Sequence, residues 1–96
     1  MFDLHKIIEI LRANMEPLRK EFHVKSIGVF GSYSRNEATS ESDVDLIVDF
    51  DKPMGLEFIS LSITLEQILK KKVDLISRNA IKPKYYEIIK NEIIYV

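Results

Sequence analysis

The stretch GSYSRNEATSESDVDLIVDF, residues 31 to 50, places Gly31-Ser32 ten residues ahead of Asp43 and Asp45, two carboxylates that flank Val44 at the head of an apolar run. Just before it, SIGVF (26 to 30) is short, apolar and partly β-branched, and it ends at Gly31. That pattern predicts a buried strand running into a tight turn. NEATSES (36 to 42) is polar and small, hence a loop, and VDLIVDF (44 to 50) predicts a second strand, stopped by the breaker stretch DKPMG. The quoted stretch therefore joins the end of one strand to the start of the next. Side chains alternate along a strand, so Asp43 and Asp45 share one face and Val44 and Leu46 the other. Adjacent carboxylates repel unless a cation lies between them, and hard oxygen ligands on a rigid element suit Mg²⁺, which takes one or two carboxylates together with substrate phosphates.

Further along, KVDLIS (72 to 77) predicts a third strand, with Asp74 on the face opposite Val73 and Leu75. A charge in so apolar a strand needs a compensating partner. If the third strand lies beside the second, Asp43, Asp45 and Asp74 converge. Such a cluster would hold two metal ions roughly 3.5–4 Å apart, the arrangement that stabilises both the attacking and the leaving oxygen of an in-line phosphoryl displacement. Gly31 and Ser32 fit the substrate side of the same chemistry. Glycine lets backbone come close to a ligand, and Ser32 adds a hydroxyl beside N–H groups that suit phosphate oxygens. Arg35 stands between two readings, a fork of donors to those phosphates and a surface ion pair.

In the rest of the chain, Leu4, Ile7, Ile8, Leu11, Met15, Leu18 and Phe22 recur at helical spacing behind a cap at Asp3, so residues 4 to 22 predict an amphipathic helix that Pro17 should kink or split. Phe58, Leu61, Leu65, Ile68 and Leu69 predict a second helix over 56 to 71, a proline-started helix is expected over 83 to 91, and IIYV (93 to 96) predicts an edge strand. Lys70 to Lys72 are read as cations at a helix end, and of Tyr85 and Tyr86 one is expected in the core and one at the surface. The order of elements indicates one small α/β (α+β) domain over 1 to 96, with helices against a mixed β-sheet. At 96 residues with a formal net charge of -1, from 14 basic and 15 acidic residues, nothing advertises a nucleic-acid or membrane-surface binder. There is no cysteine, hence no disulfide framework or thiolate metal site, and no apolar run approaches the roughly 20 residues of a membrane span. A soluble, cytoplasmic protein is expected.

The pattern G-S, ten residues, D-x-D and a third Asp on a later strand resembles the DNA polymerase β-type nucleotidyltransferase superfamily. Within it, the length, the helical N-terminus and FGSYSRNEATSESDVDLIVDF are similar to the minimal nucleotidyltransferases, some of which are antitoxins paired with a HEPN-domain ribonuclease toxin. The resemblance runs from about Ile7 to Val96. It implies that Gly31 and Ser32, with Arg35, hold the nucleotide triphosphate; that Asp43 and Asp45 ligate Mg²⁺; and that Asp74 ligates a second ion and helps deprotonate the acceptor hydroxyl. For the antitoxin group it implies transfer of AMP from ATP to a tyrosine of the toxin, with release of pyrophosphate, within a hetero-oligomer and without membrane or direct nucleic-acid contact. One departure is Asn36, where many relatives carry Gly; Asn tolerates a left-handed backbone, so the turn is expected to survive. Two alternatives stay open: a nucleotidyltransferase acting on a small molecule or an RNA end, and a non-catalytic antitoxin that blocks its partner sterically. The short chain and the absence of a basic surface count against the first, the intact carboxylate triad against the second.

Overall fold

Residues at helical spacing form α1 (Leu4–Phe22) in the computed structural model, which describes residues 1–96, and its Ile7, Leu11, Met15, Leu18 and Phe22 are buried. The Asp3 side chain accepts the Lys6 N–H at 3.0 Å and so closes the first turn. Pro17 does not split the helix, which runs unbroken from Leu4 to Phe22. It lies on the exposed side, where the Ala13 carbonyl that loses its helical partner can bond water instead. The remaining elements follow as β1 (Val24–Phe30), β2 (Val44–Phe50), α2 (Glu57–Leu69), β3 (Val73–Ser77), α3 (Pro83–Ile89) and β4 (Ile94–Tyr95). β1 begins earlier than SIGVF suggests, because Val24 already pairs with Phe50. α2 stops at Leu69, since Lys70 turns left-handed (φ 54°) to close the helix.

The sheet order is β3-β2-β1-β4, with β1 antiparallel to β2 and β4, and β2 parallel to β3. A parallel pair needs a crossover, and α2 is that crossover. Val44, Leu46 and Val48 of β2, with Ile27 and Val29 of β1, form the main core with Ile7 and Leu11 of α1 and Leu61, Leu65 and Leu69 of α2. On the opposite face Phe30 and Ile47 meet Ile89, with Ile76 and Ile93 packed against them. β2 is thus covered on both faces, which explains its nearly continuous apolar run. Asp45 alternates with Val44 and Leu46 and so stands on the α3 face. A Cβ at Gly28 would run into an Ile93 methyl and lie 3.2 Å from both Ile47 and Tyr95, so the bare glycine lets the C-terminal segment lie across β1. No helix is long and apolar enough to cross a membrane.

Candidate active site

The register of the central strands builds the site. Asp45 of β2 is the direct partner of Asp74 on β3, and Phe30, the residue before Gly31, is its partner on β1. Because β1 runs antiparallel to β2, its exit lies beside the entrance of β2. Gly31, Asp45 and Asp74 therefore meet at one end of the sheet. Gly31 has φ 77°, a left-handed conformation, and a Cβ there would overlap the Asp45 Oδ2. Two independent reasons demand glycine: the backbone angle and the carboxylate seated against its α-carbon.

Residues 31 to 37 form a single helical turn. Arg35 N–H donates to the Gly31 carbonyl (3.1 Å), Glu37 N–H to Ser32 (2.8 Å) and Asn36 N–H to Tyr33 (3.3 Å). Asn36 closes it with φ 59°, the left-handed cap usually given to glycine. The buried Tyr33 ring anchors the turn by meeting Phe2 edge-on at 5.7 Å. The N–H groups of Ser32, Tyr33 and Ser34, and the Ser32 hydroxyl, have no acceptor within the protein. Consecutive unpaired N–H groups in such a turn favour an anion.

The carboxylates are not equivalent. Asp45 is half-buried, and its carboxyl is pushed up to about 6, first by burial and then by the charges of Asp74 and Asp43, while Arg35 pulls the other way. Asp43 precedes β2 and is exposed, as is Asp74. No three Asp, Glu or His side chains sit close enough to enclose a metal ion in this geometry. Asp45 and Asp74 are register partners across β2 and β3, and the charges of both Asp74 and Asp43 act on Asp45. The donor set itself, all carboxylate and mutually repelling, has the chemistry of a Mg²⁺ site, since a divalent cation relieves that repulsion.

A sequence profile of the nucleotidyltransferase domain matches residues 5–96. The chain belongs to the nucleotidyltransferase family. It is 43% identical, over 97 aligned positions, to the protein adenylyltransferase MntA of Thermococcus cleftensis, covering 100% of this chain and 98% of that one. A solved structure assigned as a minimal nucleotidyltransferase is 30% identical with a TM-score of 0.82, across 97% of this chain and 95% of its own. In fold alone, at 23% identity and a TM-score of 0.61, the chain also matches the complex of a tri-AMPylated Shewanella oneidensis HEPN toxin with MNT antitoxin, over 95% of this chain and 66% of that chain.

Sequence reasoning did not single out one residue of this nucleotidyltransferase site. Glu92, just before β4, accepts the Gly31 N–H at 2.6 Å and the Arg35 Nη1 at 3.0 Å, and its backbone carbonyl accepts the Ser34 hydroxyl. Arg35 also pairs with Glu37 at 3.0 Å, so it stands in an ion-pair network at the edge of the turn. Nothing local in NEIIYV marks Glu92. On the loop's other side, Lys71 Nζ donates to the Ser40 carbonyl at 3.0 Å and so ties the loop to the start of β3. An apolar groove of about 810 Å³, lined by Phe50, Met54, Phe58, Ile81 and Tyr85, lies where β2 and β3 end and contains none of the site residues.

Proposed function

We propose that this nucleotidyltransferase is an ATP- and Mg²⁺-dependent protein adenylyltransferase that transfers AMP to a tyrosine hydroxyl of a HEPN-domain ribonuclease toxin and thereby neutralises it. The observation that carries this reading is the register pair Asp45 and Asp74 beside a turn with three unpaired N–H groups. The similarity to MntA and the shared fold with the MNT antitoxin complex support the choice of acceptor.

Asp45 and Asp74, with Asp43, would hold two Mg²⁺ ions. When bound, these neutralise charge that builds on the reacting phosphate oxygens. The N–H groups of Ser32 to Ser34 and the Ser32 hydroxyl hold the terminal phosphates, with the Arg35 guanidinium at the rim. The tyrosine oxygen attacks the α-phosphorus; an O–P bond forms as the bond to the bridging β-phosphate oxygen breaks, and pyrophosphate leaves. Asp74, exposed at the mouth of the pair, accepts the phenolic proton and passes it to water.

Incubation with α-labelled ATP, Mg²⁺ and a HEPN-domain protein encoded beside this gene is expected to label that protein on tyrosine. Asp45→Ala or Asp74→Ala should lower the rate by a factor on the order of 10² or more, because electrostatic stabilisation supplies most of the acceleration in such transfers. A wild-type protein that leaves its neighbour unlabelled while modifying an RNA end or a small molecule would replace this reading.

A further inference from the structure

Glu92 is a negative charge within electrostatic reach of Asp45, at the edge of a turn suited to an anion. By charge alone it belongs elsewhere, since it pushes the Asp45 carboxyl up rather than down. Its bonds show what offsets this. The side chain is only 20% exposed, and Oε2 takes two donors at once, the Gly31 N–H and the Arg35 guanidinium. The backbone carbonyl takes the Ser34 hydroxyl. One residue therefore grips the turn at its first residue, its fourth and its fifth.

The segment that carries Glu92 is itself immobilised. The Glu92 N–H donates to the Ile89 carbonyl at 2.9 Å, and the Val96 N–H donates to Ile27 at 3.0 Å. Between them Ile93 sits over the bare α-carbon of Gly28, and Ile94 pairs with Val29. Glu92 thus stands on a post fixed on both sides. It consumes the Gly31 N–H, which leaves the next three N–H groups as the free set, and it fixes the guanidinium beside them.

We infer that Glu92 is the positioning residue of the phosphate turn: by holding Gly31, Ser34 and Arg35 from the C-terminal segment, it presets the Ser32 to Ser34 N–H groups and the guanidinium for a nucleoside triphosphate. This rests on the reading of the turn as the phosphate cradle. Preorganisation of this kind lowers the ordering cost of binding, and its loss appears as weaker nucleotide affinity rather than as global unfolding.

The test is calorimetric binding of MgATP to the full chain without acceptor, with thermal melting of each variant alongside. Glu92→Ala is expected to weaken binding about tenfold, the size of a lost charge-assisted hydrogen bond. Glu92→Gln, whose amide oxygen can accept the same two donors, recovers most of that loss. Glu92→Asp keeps the charge but withdraws the oxygens by one methylene, so it binds weakly like Glu92→Ala and takes its place if the alanine variant does not fold. Unchanged affinity with a lowered Tm would make Glu92 merely structural and overturn the inference. Tighter binding in both Glu92→Ala and Glu92→Gln would overturn it too, by making the carboxylate a competitor for the phosphate donors. With no acceptor present, a wrong choice of acceptor protein changes none of these results. A wild type that binds no MgATP overturns both this inference and the nucleotide reading.

Discussion

Asp45 carries its charge where burial and three neighbouring carboxylates all oppose one, and the consequence is measurable without any substrate. Its carboxyl is raised from the ordinary 3.8 to about 6. The folded chain therefore binds this proton more tightly than the unfolded chain does. Protonated Asp45 favours the fold fully below 3.8, and that contribution is lost as pH rises through 6, so the ionised group is a net cost at neutral pH. After allowance for solvent screening of a partly exposed side chain, the cost is about 1 kcal/mol. Asp45→Asn is therefore expected to raise the Tm of the metal-free protein by roughly 4–8 °C near neutral pH, with the gap to wild type closing as the pH falls through the same window. Thermal melts across that range check it; a gap that widens on acidification would contradict it. The Asp45→Asn protein should also lose transfer activity, so stability and function pull this residue in opposite directions.

At the scale of the element, the turn from Gly31 to Glu37 concentrates the conformational demands of the site. Its two left-handed residues, Gly31 (φ 77°) and Asn36 (φ 59°), bracket the free N–H groups. They differ in what they tolerate. Gly31 is blocked both by its angle and by Asp45, whereas Asn36 faces only the backbone constraint. Asn36→Gly should therefore alter stability by no more than about 0.5 kcal/mol, since relief of strain offsets the greater freedom of the unfolded chain. Asn36→Val, β-branched in the same conformation, should cost roughly 1–3 kcal/mol in urea denaturation. Asn36 is thus a working substitute for the usual glycine. Arg35, held directly before it, bonds Glu37 through Nε and Glu92 through Nη1, which fixes the guanidinium at the edge of the turn and leaves its remaining N–H donors vacant.

Across the whole molecule, α2 separates what stabilises this chain from what it displays. Leu61, Leu65 and Leu69 are buried on the sheet, while Leu56, Ile59 and Ile63 are 81%, 58% and 50% exposed. Leu65→Ala should cost about 2–5 kcal/mol, a large share of the 5–15 kcal/mol available to a typical domain. Ile63→Ser, only two residues away, should stay within about 0.5 kcal/mol. Chemical denaturation of the two variants side by side checks the assignment of faces; equal losses would mean that the exposed stripe is covered.

Periodicity and punctuation alone located every strand and helix here, because VDLIVDF, SIGVF and the heptad-like spacing of α1 each report a local preference for which faces are buried. The spacing of Gly31-Ser32, Asp43, Asp45 and Asp74 likewise pointed to phosphate and metal chemistry, because those side chains make little sense in apolar strands without it. Local pattern left Pro17 open between a kink and a break, and the helix runs through it unbroken, with Pro17 on the exposed side. That pattern was silent on Glu92, an acidic residue 61 positions from the N–H it accepts. What the sequence determined by itself is which residues are apolar, which can turn left-handed and which carry charge. Only the tertiary structure decided which of them are neighbours: the parallel register that sets Asp45 opposite Asp74, the missing side chain of Gly28 that lets the C-terminal segment cross β1, and hence the carboxylate that grips the turn. Register and strand order arise from burying both faces of β2 at once, and that constraint belongs to the whole chain rather than to any stretch of it.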